Sequence, residues 1–204
     1  MLIQQVKEVI NSLYSGVDGY LVSADARRSA GKSDKEYTYG EVLAEEFYDI
    51  LSTINPRKNE NFYDLGSGLG KPTFLASLLF DFKKSTGIEM LSDLCGKANK
   101  ILEKYKKEVI PTLDLSKKDQ EIKFVNSSFL DVDWSDANVI FTHSTCFNYE
   151  TMAQIAGKLL TLRPGTRIIT VTKNLESPFL HLLKQSEHMM NWGKATVYFY
   201  EKIL

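Results

Sequence analysis

Three glycines at alternate positions stand behind an aspartate in the segment FYDLGSGLGK, residues 62–71. Its chemistry-bearing members are Asp64, Gly66, Ser67, Gly68, Gly70 and Lys71. Glycines between a strand and a helix let the backbone approach a ligand at the carboxyl end of a parallel sheet, where open α/β sheets bind. The spacing is Gly-x-Gly-x-Gly, so it matches neither the dinucleotide fingerprint Gly-x-Gly-x-x-Gly nor a P-loop. An acid at the mouth of such a loop repels a pyrophosphate and attracts a cation. A second acid, Glu89 in TGIEM, comes 23 residues after Gly66. At the end of the next strand a carboxylate there can accept from ribose hydroxyls.

A ribose-bearing ligand with an ammonium or a sulfonium satisfies both acids, and S-adenosylmethionine carries both cations. Alone, either motif also reads as an ordinary helix-entry turn or a strand-end acid; their order and spacing favour a cofactor site. Phe129, after Ser128 in NSSFLDVDW, is the candidate to stack on an adenine, with core packing the equal alternative. No metal site is expected, because Cys95 and Cys146 lack CxxC spacing and read as reduced thiols.

The chain has 204 residues, enough for one well-buried domain. Hydrophobic residues at 43% and charged residues at 25% fit a globular chain and exclude a disordered one. A net charge of -1 and a pI near 6.3 give no whole-molecule field that recruits nucleic acid. No apolar run is long enough to span a bilayer. The opening MLIQQVKEVI carries Lys7 and Glu8 within its apolar pattern, so it reads as an amphipathic helix rather than a signal peptide. A cytoplasmic or nuclear protein, not a secreted or membrane one, is expected.

These residues need a scaffold of alternating elements. NFYDL, STGIEM, EIKFVN, NVIFTH and GTRIITVT read as strands. KPTFLASLLFDF, LSDLCGKANKILEKYKKEVI and NYETMAQIAGKLLTL read as the helices between them, with PTLDLSKKDQ a polar surface loop. EHMMNWGKATVYFYEKI reads as a terminal antiparallel pair around Trp192 and Gly193. The expected fold is α/β, a doubly wound, mostly parallel sheet with a C-terminal antiparallel hairpin. Residues 1–60 would supply N-terminal helices and a long polar loop, read over 23–40, and residues 61–204 the core.

With these motifs in place, the chain resembles the class I S-adenosylmethionine-dependent methyltransferases, which have a Rossmann-like fold. Within them it is similar to the Dot-type (disruptor of telomeric silencing) histone-lysine methyltransferases, over roughly residues 37–200. YTYGE resembles the family's loop over the methionine end of the cofactor, which implies roles for Tyr39 and Glu41. VIFTHSTCF resembles its active-site strand end, and NWGKATVYFY its closing hairpin. The resemblance implies lysine N-methylation of a protein, a histone among the candidates. It also implies an acceptor channel built from His143, Ser144, Phe141, Phe147, Trp192 and Tyr198. The chain departs where the family has asparagines, here His143 and Ser144, where it has an aspartate, here Ser128, and where it often has a glutamine, here Lys71. No counterpart of the basic tail that family members use on nucleosomal DNA is evident in residues 201–204.

For His143 a base and a merely orienting group are both open. Core packing is the alternative for each channel aromatic. A nucleic-acid or small-molecule methyltransferase, or a catalytically silent cofactor-binding module, are the competing functions. The lysines of LSDLCGKANKILEKYKKEVI read as a solvated helix face, and His181 and His188 as structural.

Overall fold

The computed structural model describes residues 1–31, 40 and 42–204. Helices α1 (Ile3–Leu13), α2 (Gly19–Ser29) and α3 (Ala44–Thr53) precede the first strand, β1 (Asn61–Leu65). The chain then runs through α4 (Lys71–Leu79), β2 (Lys84–Glu89), α5 (Ser92–Glu108), α6 (Leu115–Lys118), β3 (Glu121–Asn126) and β4 (Val139–Thr142). It ends with α7 (Tyr149–Lys158), β5 (Arg167–Val171), β6 (Leu180–Met190) and β7 (Gly193–Lys202).

The seven strands form one sheet in the order β3-β2-β1-β4-β5-β7-β6. β1 to β5 run parallel, while β7 is antiparallel to both β5 and β6. The order reverses between β1 and β4, so a crevice opens there at the carboxyl ends of the strands. β4 and β5 are buried along their whole length, as parallel strands covered on both faces are. Edge strand β3 alternates instead. Successive residues feed opposite cores: Phe62, Val139, Phe141, Ile169 and Phe199 face the side of α1, α3, α4 and α5. Tyr63, Ile140, Ile168 and Tyr200 face the side of α7 and Trp134. This two-residue alternation is the pleat itself.

The expected strands and the antiparallel hairpin are present. Two expectations are corrected. Part of the stretch read as loop is α2, whose buried face is Gly19, Ser23 and Ala26. Asp18 caps it, its carboxylate accepting from the N–H of Tyr20 at 3.0 Å and of Leu21 at 3.1 Å. The small residues let α2 settle near α5, where Ala26 joins Leu69, Leu91 and Leu94. The segment PTLDLSKKDQ likewise contains α6, anchored by Lys117, which donates to the carbonyls of Ser77 at 3.1 Å and Phe80 at 2.6 Å.

Candidate active site

The glycine loop joins β1 to α4 through three left-handed glycines, Gly66, Gly68 and Gly70, with φ of 82°, 55° and 84°. Gly70 serves as N-cap of α4, and a Cβ there would meet the ring of Phe124 at 2.3 Å. Only glycine satisfies both the conformation and the space. Pro72 in the first turn of α4 costs no hydrogen bond.

Above this loop lies a cavity of about 300 Å³, in the size range of small-molecule and cofactor sites. Asp64, Gly66, Ser67, Gly68, Lys71 and Glu89 line it, as do Ser128, Phe129, His143 and Phe147. Asp64 is buried: its Oδ2 accepts from the Thr73 hydroxyl at 3.1 Å, while Oδ1 has no partner among the described residues. Burial pushes its carboxyl up to about 7, opposed by the Thr73 hydrogen bond and aided by the charge of Glu89. Glu89 accepts from the N–H of Gly68 at 2.9 Å and of Leu91 at 2.8 Å, one on each oxygen. Burial raises its carboxyl as well, against those backbone donors. A carboxylate offers about four lone-pair positions, so both oxygens keep acceptor capacity after tying the loop to β2.

Phe129 and Phe147 lie with ring centroids 5.6 Å apart and interplanar angle 34°, a continuous aromatic wall. Phe147 also covers the loop, its Cζ 3.4 Å from a Cβ built on Gly66. The Ser128 hydroxyl accepts from the N–H of Leu130 at 3.2 Å. Lys71 reaches back over the ring of Tyr14, 5.1 Å from its centroid. Sequence reading missed Leu91 and Leu94 of the α5 entry, Thr151 and Gln154 of α7, and Ser23 of α2, all of which line the cavity. Thr151 and Gln154 stand three apart on one helix, a spacing visible in the sequence only once the partner face is known.

At the other end, His143 follows β4 directly. Its ring meets Trp192 edge to face, with centroids 4.5 Å apart and an interplanar angle of 82°. A Cβ on Gly40 would lie 2.9 Å from the Trp192 ring and 3.3 Å from His143 Cε1, so Gly40 lies tight against both rings. The imidazole Nε2 is sealed from solvent with no partner among the described residues. Burial drives its pKa down to about 4, opposed by a contact with the residue's own carbonyl. The ring is therefore neutral at physiological pH.

The remaining site candidates divide. Phe141 is fully buried, edge to face with Phe47 at 5.2 Å and outside the cavity lining, the core position given as its alternative. The pleat decides this, because Phe141, one residue before β4 ends, projects to the α3 side. Ser144 is fully buried and donates its hydroxyl to the Val171 carbonyl at 2.8 Å, fastening the strand end to β5. Tyr198 sits on β7 opposite Thr170, stacked against Tyr200 at 6.3 Å and outside the cavity lining. Tyr39 and Glu41 lie outside the described residues. No group of three or more metal-ligating side chains occurs among the described residues, and no described helix is long and apolar enough to cross a membrane.

Comparison with known proteins places this geometry in a family. The family model described as "Histone methylation protein DOT1" matches residues 22–200. The H3 lysine-79-specific histone-lysine N-methyltransferase of Candida albicans is 28% identical over 178 residues, covering 85% of this chain and 13% of the relative. Its counterpart from Caenorhabditis elegans is 33% identical over 154 residues, covering 71% and 15%. The chain thus spans less than a sixth of the length of these two relatives. Among solved structures, an RNA methyltransferase from Salinibacter ruber in complex with S-adenosyl-L-homocysteine superposes with a TM-score of 0.61 at 19% identity, over 80% of this chain and 94% of that one. A putative RNA methyltransferase from Pyrococcus horikoshii gives 0.64 at 11% identity, over 98% and 100%. At these identities the likeness is one of fold.

Proposed function

The chain belongs to the DOT1 histone-methylation family, and from that premise we propose that its cavity binds S-adenosylmethionine and directs the methyl group to a lysine of a protein, with histones the first class to test. The observation that carries this reading is the buried, unpartnered Oδ1 of Asp64 at the mouth of the glycine loop. A buried carboxylate oxygen with nothing to accept is costly unless a donor arrives, and an ammonium beside a glycine loop is such a donor.

The other residues fit the same ligand. Glu89 keeps acceptor capacity for the ribose hydroxyls while its backbone donors hold it in place. The Phe129–Phe147 wall offers one flat apolar face to an adenine, and its rings are too close to admit a base between them. Lys71 supplies a cation for the carboxylate of the methionine tail. Gly40 closes on Trp192 at the opposite end.

When bound, the sulfonium supplies an activated methyl group, so the chain's task is alignment more than proton transfer. His143 and Gly40 line the cavity and Trp192 packs against both, and in this reading the amine enters beside them. A dry, neutral environment favours the unprotonated amine by desolvation, and the Trp192 face tolerates the cation formed on transfer. A histone acceptor makes the nucleus its place of work.

The test incubates the protein with methyl-labelled S-adenosylmethionine and, separately, core histones, a cell-extract protein pool and bulk RNA. Label on protein lysines supports the reading. Label confined to RNA, or calorimetric binding of S-adenosylmethionine with no transfer to any pool, overturns the lysine assignment. Absence of binding overturns the cofactor.

A further inference from the structure

We infer that His143 Nε2 is the acceptor for an N–H of the incoming amine, and that this contact stops methylation at the dimethyl stage. The inference rests on the lysine-methylation reading above. Its basis is the state of one nitrogen. Nε2 is buried and has no partner among the described residues, although the imidazole lines the cavity beside Asp64, Gly66 and Phe147. A contact of the ring with the residue's own carbonyl opposes the effect of burial, and the ring proton is assigned to Nδ1, the nitrogen nearer the backbone. Nε2 therefore presents a lone pair, and only a donor can satisfy it. Gly40 and Trp192 pack against the ring, and Nε2 itself is sealed from solvent.

The stoichiometry of the amine sets the limit. A neutral lysine carries two N–H groups and one lone pair. With one N–H given to Nε2, the lone pair points elsewhere and takes the methyl carbon. The carbon–sulfur bond breaks, its electron pair stays on sulfur, and the sulfonium becomes a neutral thioether. The alkylammonium passes one proton to water before another round. A neutral monomethyl amine still has one N–H for Nε2. A neutral dimethyl amine has none, so a methyl group faces a buried lone pair that remains unsatisfied, a loss that slows the third transfer roughly tenfold or more.

The same chemistry names the residue type that lifts the limit. His143→Phe keeps a flat ring against Trp192 and removes the lone pair, so a third methyl meets no unsatisfied acceptor. Overall turnover falls as orientation is lost, while the trimethyl share of product rises.

The experiment follows intact mass of core histones over time with S-adenosylmethionine in excess, for the wild type, His143→Phe and, should that variant not fold, His143→Ala. Accumulation of mono- and dimethyl product by the wild type, with trimethyl product gained in the variant, is expected. Trimethyl product from the wild type at a rate close to the dimethyl step overturns the inference and leaves the methyltransferase reading intact. No transfer to any histone, in contrast, overturns the histone reading. A second readout is independent of turnover: nitrogen-15 NMR of the histidine-labelled protein is expected to show His143 protonated at Nδ1 and bare at Nε2. A proton on Nε2 overturns the inference whatever the product pattern.

Discussion

Asp64 and His143 stand at the ends of neighbouring strands, and burial acts on them with opposite sign. The carboxyl is pushed up to about 7 and the imidazole down to about 4. In both cases desolvation disfavours the charged form. Asp64, however, lies in a framework tied down by Thr73, Glu89 and the left-handed glycines. His143 is held by one aromatic edge and a glycine contact. The Asp64 end of the cavity is thus backbone architecture and the His143 end is side-chain packing. Substitutions at the first should break the site, and those at the second should retune it.

The sharpest break is expected from Gly70→Ala, which combines a φ of 84° with a Cβ 2.3 Å from Phe124. Left-handed strain and overpacking together cost about 3 kcal/mol, read as a lowered urea midpoint. A midpoint within error of wild type would show that the loop is not the rigid end. Asp64→Asn is next: loss of a charged hydrogen bond lowers affinity for S-adenosylmethionine roughly 30-fold, measured by calorimetry. Binding to the wild type also releases a proton below about pH 7, because the cation favours ionised Asp64; the Asn variant releases none from this site.

The opposite pKa shifts give the third test. A raised carboxyl binds a proton in the folded state that the unfolded chain has released, so Asp64 makes stability fall as pH rises from 3.8 to about 7. Glu89, also raised, has the same sign. A depressed imidazole is neutral in the fold where the unfolded chain is charged, so His143 makes stability rise between about 4 and 6.5. Relative to wild type, Asp64→Asn should therefore gain stability with rising pH and His143→Phe should lose it, by up to about 1.4 kcal/mol per pH unit. Urea unfolding across that range checks it, and slopes of the same sign would refute the pairing.

Trp192→Ala is expected to cost about 1 kcal/mol at the acceptor mouth only. It should raise KM for the protein substrate several-fold and leave cofactor affinity unchanged; equal effects on both would dissolve the distinction between the two ends. The smallest effect belongs to the tie between α3 and the hairpin, where Glu46 meets His188 Nδ1 at 3.0 Å. Glu46→Gln should cost about 0.5 kcal/mol, as partly exposed pairs do, visible as faster amide exchange along β6.

What could be read beforehand follows the same division. β1 and β3 coincide with NFYDL and EIKFVN, because short apolar runs between turn residues have few other fates. That Asp64, Gly66, Gly68 and Glu89 meet at one cavity was legible because backbone turns leave fixed spacings. α2 was not, since its buried stripe of Gly19, Ser23 and Ala26 is helical in spacing but has no large apolar residue. The first half of β6 was illegible for a related reason: it is exposed on both faces, so no alternation marks it. The burial of Phe141 and Ser144 was not legible, because a strand-end motif does not reveal which residue the pleat turns inward.

The parallel pairing of β1 with β4 sets Asp64 beside Phe141, with His143 two residues further on. Backbone hydrogen bonds hold such strands about 4.8 Å apart whatever side chains they carry. The sheet therefore acts as a ruler between the two ends of the cavity. A new residue at position 143 can change the chemistry at that end of the cavity without altering how far its strand stands from the strand that carries the acid.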